Sequence, residues 1–91
     1  MRILAKSVTA DAQVVAGDCY FVGAELSHTT DTEMILYNEN SSSKTAANKL
    51  ATLKVTEEMQ HDSMALPIPG VKCEGIYADW TAGIGTVYYY R

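Results

Sequence analysis

Four side chains of this 91-residue chain have the chemistry for soft-metal binding or for thiol–imidazole catalysis: Cys19, Cys73, His28 and His61. No two of them stand at the short spacing of a metal-ligand motif, so no metal is expected. Nucleophilic catalysis needs a Ser, Cys or Thr beside a base that a third group orients. Both histidines fall in polar stretches and read as exposed side chains. Glu57, Glu58 and Asp62 could supply paired carboxylates, yet their surroundings read as a solvated loop. Asp79 beside Trp80 suits a sugar-binding surface. The competing reading ends a core stripe at Trp80 and turns Asp79 outward. Gly83 and Gly85 fall in a hairpin and open no helix, so they cradle no phosphate. The residues therefore point away from an enzyme and imply no cofactor.

The elements that carry these side chains are short strands separated by turn chemistry. Ile3–Val8 and Gln13–Ala16 open the chain, and Gly17-Asp18 punctuates it. Cys19–Ser27 alternates, with Tyr20, Val22, Ala24 and Leu26 on one face and Cys19, Phe21, Gly23 and Glu25 on the other. His28–Asp31 reads as a turn. Glu33–Asn38 is apolar on both faces, as in a strand from the middle of a sheet. Residues 38–43 form the clearest loop. Thr45–Glu58 fits either period, and the Thr and Val residues favour a strand at Lys49–Thr56, with room for a helical turn at Thr45–Asn48. Met64, Leu66 and Ile68 alternate toward Pro67 and Pro69, which place this segment at an edge or a strand end. Val71–Trp80 is the longest strand, with Ile76, Ala78 and Trp80 on one face and Cys73, Gly75 and Tyr77 on the other. Thr81–Gly85 makes a hairpin loop, and Thr86–Tyr90 returns antiparallel. The expectation is one all-β domain over residues 1–91, an antiparallel β-sandwich of jelly-roll type with seven to eight strands.

Composition narrows the function classes. At 47% hydrophobic and 20% charged, the chain is too apolar for a disordered segment and too polar for a membrane protein. The net charge is −4, and Arg2, Lys6, Lys44, Lys49, Lys54, Lys72 and Arg91 are scattered. Nucleic acid needs a basic footprint, which this distribution does not offer. The apolar run after Arg2 is too short for a signal peptide or a membrane span, which suggests synthesis in the cytosol and residence there or in what the cytosol assembles.

Domains of this size are marginal, and disulfides, metals or oligomerisation make up the difference. With Cys19 and Cys73 both in strands, a disulfide across the sheet is open to them. A lone pair of cysteines in a small domain is more often buried and reduced. Oligomerisation is the favoured answer. The C-terminal strand places Tyr88 and Tyr90 on one face and Val87 and Tyr89 on the other, and Tyr suits interfaces. One side packing on the core and the other on a loop would account for the same residues. Leu50 and Met59, apolar but off the inward face, and Trp80 are weaker interface candidates.

The order of pieces resembles a group of small phage and cyanophage virion proteins. The resemblance rests on Ile35-Leu-Tyr-Asn-Glu-Asn-Ser-Ser, Ala47-Asn-Lys-Leu-Ala-Thr-Leu-Lys, Pro67-Ile-Pro-Gly-Val-Lys-Cys, Gly75-Ile-Tyr-Ala-Asp and the closing Thr86-Val-Tyr-Tyr-Tyr-Arg. The opening Ala5-Lys-Ser-Val-Thr-Ala-Asp-Ala fits as well. Val55–Ala65 departs from the pattern in being more polar, which marks it as a surface-facing loop. The resemblance implies a capsid decoration or cement protein, jelly-roll-like and often trimeric, bound to the phage major capsid protein on the virion surface. It equally admits a tail or head–tail accessory protein. A carbohydrate-binding module is the alternative from a different class, with Trp80 and the tyrosines as stacking platforms.

Overall fold

A computed structural model describes residues 2–91. Seven strands follow one another: β1 (Leu4–Val8), β2 (Ala12–Ser27), β3 (Thr32–Tyr37), β4 (Lys49–Val55), β5 (His61–Ala65), β6 (Val71–Trp80) and β7 (Ile84–Tyr90). A single 3-10 turn, Ala46–Asn48, precedes β4. The all-β expectation therefore holds, and every strand pair is antiparallel. Thr45–Glu58 divides as its Thr and Val content suggests, into a helical turn and then a strand.

All seven strands belong to one hydrogen-bonded sheet in the order β1-β7-β2-β6-β3-β4, with β5 also on β2. This continuity is compatible with a sandwich of jelly-roll type whose two halves share β2. The sixteen-residue β2 is the reason. Its first part pairs with β6, and its second part pairs with β7 on one edge and β5 on the other. The sheet does not stay flat. β4 is three strands from β2 in the hydrogen-bonded order, yet it touches both β2 and β5. The smallest dimension of the molecule is 20 Å, about twice the ~10 Å between packed sheet faces. The sheet thus curves back on itself, and its inner face encloses a single core.

That core draws on six of the strands. Phe21, Leu26, Met34, Leu36, Ile76, Ala78 and Val87 are fully enclosed, joined by Val8, Leu53 and Val55. β5 adds only the half-buried Met64. Burying a side chain of the Leu or Phe class is worth about 1.5–3 kcal/mol, so this cluster carries most of the stabilisation. The only buried polar side chain among the described residues is Thr32, and its hydroxyl donates to the Ala82 carbonyl at 3.1 Å. That bond removes the cost of an unpaired buried group.

Four expectations are corrected here, and strict alternation foresees none of them. Gly17-Asp18 does not end a strand. It forms an irregularity within β2, between the pairs Ala16↔Gly75 and Cys19↔Cys73. The extra residues bend β2 from one half of the fold to the other. Cys73 enters the core with Ile76 and Ala78, although alternation puts it on the opposite face. A second irregularity lies between Phe21 and Gly23. It shifts the phase of β2, so that Cys19, Phe21, Ala24 and Leu26 all reach the core while Val22 leaves it. The polar stretch before Met64 is strand rather than loop. His61–Ala65 pairs with Gly23–Ser27 as an outer segment with one exposed face, where polar side chains cost nothing.

Candidate functional site

The outer face formed by β1, β7, β2 and β5 carries a depression. Cross-strand neighbours lie on the same side of a sheet, so the register assigns its rows. Ala5, Tyr88, Gly23 and Ala65 make one row, and Ser7, Thr86, Glu25 and Ser63 the next. Tyr88 thus stands between small residues on both flanks. Small neighbours leave space around a large ring, and a groove of about 580 Å³ results. Ile3, Val22, Leu66, Ile68 and Tyr88 supply its apolar walls. Ile3 and Ile68 are 49% and 52% exposed.

The segment between β5 and β6 builds the far wall. Pro67 and Pro69 cannot donate to a sheet ladder, so β5 ends and the chain turns, closed by the Gly70 N–H donating to the Pro67 carbonyl at 2.8 Å. The Leu66 N–H donates to the Val22 carbonyl at 2.9 Å, which pins the segment against β2. The Tyr90 hydroxyl donates to the Pro69 carbonyl at 2.7 Å, fastening it from the β7 side. Tyr90 also stacks on Tyr20, with ring centroids 4.8 Å apart and planes 10° from parallel.

One polar cluster edges the groove. The Tyr88 hydroxyl donates to Glu25 Oε1 at 2.8 Å, and His61 Nε2 lies 3.6 Å from Glu25 Oε2. Three strands thus converge on a single carboxylate. The hydrogen bond to Glu25, reinforced by desolvation and the carboxylate charge, pushes the Tyr88 phenol up from its usual 10.0. The position of His61 was missed from sequence, where it read as a loop residue. The separation of Glu25 and His61 along the chain gives no local signal; only the β2–β5 pairing joins them.

The sequence candidates do not converge on this site as a group. Tyr88 lines the groove, and Tyr90 stands two residues along the same strand face. Trp80 and Leu50 are half-buried and pack against the core, and the Trp80 indole donates to the Gly83 carbonyl at 2.9 Å. That contact closes the β6–β7 hairpin and accords with the core-stripe reading of Trp80. Asp79 faces outward and pairs with Lys44 at 3.4 Å. Met59, 71% exposed, sits beyond β4 in the turn before β5, away from the groove. Among the described residues no three His, Cys, Asp or Glu side chains are grouped to hold a metal ion. No helix among them is long and apolar enough to cross a membrane.

Comparison with protein-family models, curated proteins and solved structures returns no match. The groove is shallow and apolar, and its rim carries a single carboxylate that accepts from a phenol and lies beside an imidazole. Apolar side chains gain by losing water, and the carboxylate rim sets orientation.

Proposed function

We propose that this chain is a structural protein of a phage particle, a capsid decoration protein that associates with copies of itself through the groove face and so bridges capsid subunits. The observation that carries the proposal is the apolar groove beside an outermost strand, where Ile3 and Ile68 are exposed, Leu66 and Tyr88 half-buried, and Val22 forms the buried floor. Exposed apolar patches of this kind mark association sites. Tyr88 buries a large area at little entropic cost and keeps a polar tip, the profile of an interface anchor. A second copy is the occupant argued for, because a domain of this size gains most from covering its own residual apolar surface.

The virion assignment draws on the sequence resemblance, from which the trimeric state and the capsid partner also come. Three copies about a local axis would each contribute one groove. Contacts between neighbouring capsid subunits would then resist internal pressure by adding bonds that no single subunit makes.

The test is solution mass by light scattering across a dilution series, on the protein and on Ile68→Lys. Ile68 lies at the surface, so a lysine there leaves the core intact. A trimer that Ile68→Lys converts to a folded monomer supports the proposal. A protein that stays a folded monomer at every concentration refutes self-association. An oligomer indifferent to Ile68→Lys refutes the groove as its interface.

A further inference from the structure

The two cysteines stand directly opposite each other in the β2–β6 ladder, Cys19 against Cys73. Both are free thiols, and each is only 1% exposed. Residues opposed in an antiparallel pair have Cα atoms about 4.5–5.5 Å apart. A disulfide requires about 4.4–6.8 Å, so the backbone separation of an opposed pair is in range. Opposed residues also project to the same face, and both side chains belong to the one core cluster, with the Cys73 Sγ 3.4 Å from the Val71 carbonyl oxygen.

From this placement we infer that Cys19 and Cys73 are a redox-closable lock, which forms an intrachain cross-strand disulfide when the protein meets an oxidising, disulfide-containing environment. The inference goes beyond the assembly role proposed above and does not rest on it. The reaction is thiol–disulfide exchange with a small disulfide such as oxidised glutathione. One thiol loses its proton, and its sulfur attacks the oxidant, forming a mixed disulfide and expelling one glutathione thiolate. The second cysteine, deprotonated in turn, attacks the protein sulfur of that mixed disulfide and expels the other glutathione. The protein loses two electrons and two protons, and oxidised glutathione becomes two reduced glutathiones.

The location decides both the effect and the rate. The bond would tie β2 to β6 beside the bend at Gly17-Asp18, where the two halves of the fold meet. It would close a loop running from Cys19 to Cys73, which contains β3, β4 and β5 and is long enough for a substantial constraint on the unfolded chain. Burial keeps the oxidant away from both sulfurs. Local opening must therefore precede exchange, and the lock is slow in the native state. In a reducing compartment it stays open.

Incubation of the full chain with oxidised glutathione, at urea concentrations rising toward the unfolding transition, tests this. The readouts are intact mass, thiol count and unfolding midpoint with and without reductant. The expected product is a monomer lighter by two hydrogens with no titratable thiol, formed faster as urea increases. Its unfolding midpoint should be higher than that of the same sample after reduction. Native thiols should react with iodoacetamide at least about a hundredfold more slowly than those of the urea-unfolded chain. The single variant Cys73→Ala should stop at the glutathione adduct on Cys19. Oxidation that gives only adducts or intermolecular dimers from the unaltered chain overturns the inference. So does an oxidised monomer whose midpoint is unchanged or lower.

Discussion

The side-chain amide of Gln13 lies 2.7 Å from the carbonyl oxygen of Glu39, joining the start of β2 to the loop that follows β3. The same Nε2 is 2.9 Å from the Val15 carbonyl and 3.0 Å from that of Ile76. The two N–H groups of this amide thus face three carbonyls from three parts of the chain, one hydrogen being shared, beside a further irregularity of β2 between Gln13 and Val15. A second tether holds the loop farther out, where Lys44 reaches Asp11 at 3.5 Å and Asp79 at 3.4 Å. Magnitudes separate the two. Removing a donor from part-buried carbonyls costs about 1–3 kcal/mol, while exposed ion pairs are worth about 0–1 kcal/mol. Gln13→Ala is expected to lower stability by about 1–3 kcal/mol, and Lys44→Met by less than about 1 kcal/mol. Urea denaturation of both variants checks the order. Amide exchange in residues 38–44 should rise for Gln13→Ala.

Gly70→Ala should be among the most damaging single-methyl changes in the chain. Gly70 has φ +77, in the left-handed region that a side chain disfavours, and an added Cβ would lie 2.8 Å from Val22 Cγ1 and closer still to the Phe21 carbonyl oxygen. The turn cannot relax away, because the Gly70 N–H is bonded to Pro67. A loss of roughly 2–4 kcal/mol is expected from strain and overpacking together. Thermal unfolding of the variant measures it.

Tyr88→Phe and Tyr88→Ala separate two roles of one residue. Phe keeps the ring and removes only a hydrogen bond to the partly exposed Glu25, so stability should change by no more than about 1 kcal/mol. Ala removes the ring from the groove and should weaken self-association at least about tenfold, since a buried interfacial aromatic carries 2 kcal/mol or more. Dissociation measured by light scattering, beside circular dichroism to show that both variants are folded, distinguishes them.

Stability should fall in alkali. Burial pushes the Cys73 thiol up to about 11 from its usual 9.0, and also raises Cys19. A thiol that holds its proton more tightly folded than unfolded stabilises the native state fully below pH 9. That contribution disappears as the pH rises through 11. A displacement of this size corresponds to a contribution on the order of 1–3 kcal/mol. The raised Tyr88 phenol acts in the same direction above pH 10. Under reducing conditions, urea midpoints should therefore drop between pH 8.5 and 11. Replacing both cysteines with alanine should flatten much of that drop.

The sequence by itself determined the class of fold. Period-two alternation, β-branched and aromatic content and evenly spaced turn residues are local signals, and they located β3, β4 and β6 nearly to the residue. Prolines 67 and 69 likewise marked the end of β5, because a missing N–H acts at its own position. What lay beyond reach was everything that depends on a second strand. The irregularities at Gly17-Asp18 and Phe21–Gly23 change which side chains face inward, and they are visible only as offsets between β2 and its partners. The groove follows from them. It needs Gly23 opposite Tyr88, Ala5 beyond it, and the turn before β6 folded against Val22. The convergence of Tyr88 and His61 on Glu25, and the opposition of Cys19 and Cys73, have the same origin. Alternation says that a residue faces one side or the other. Only pairing, set by long-range hydrogen bonds and by the curving of the sheet around one core, decides which residue it faces.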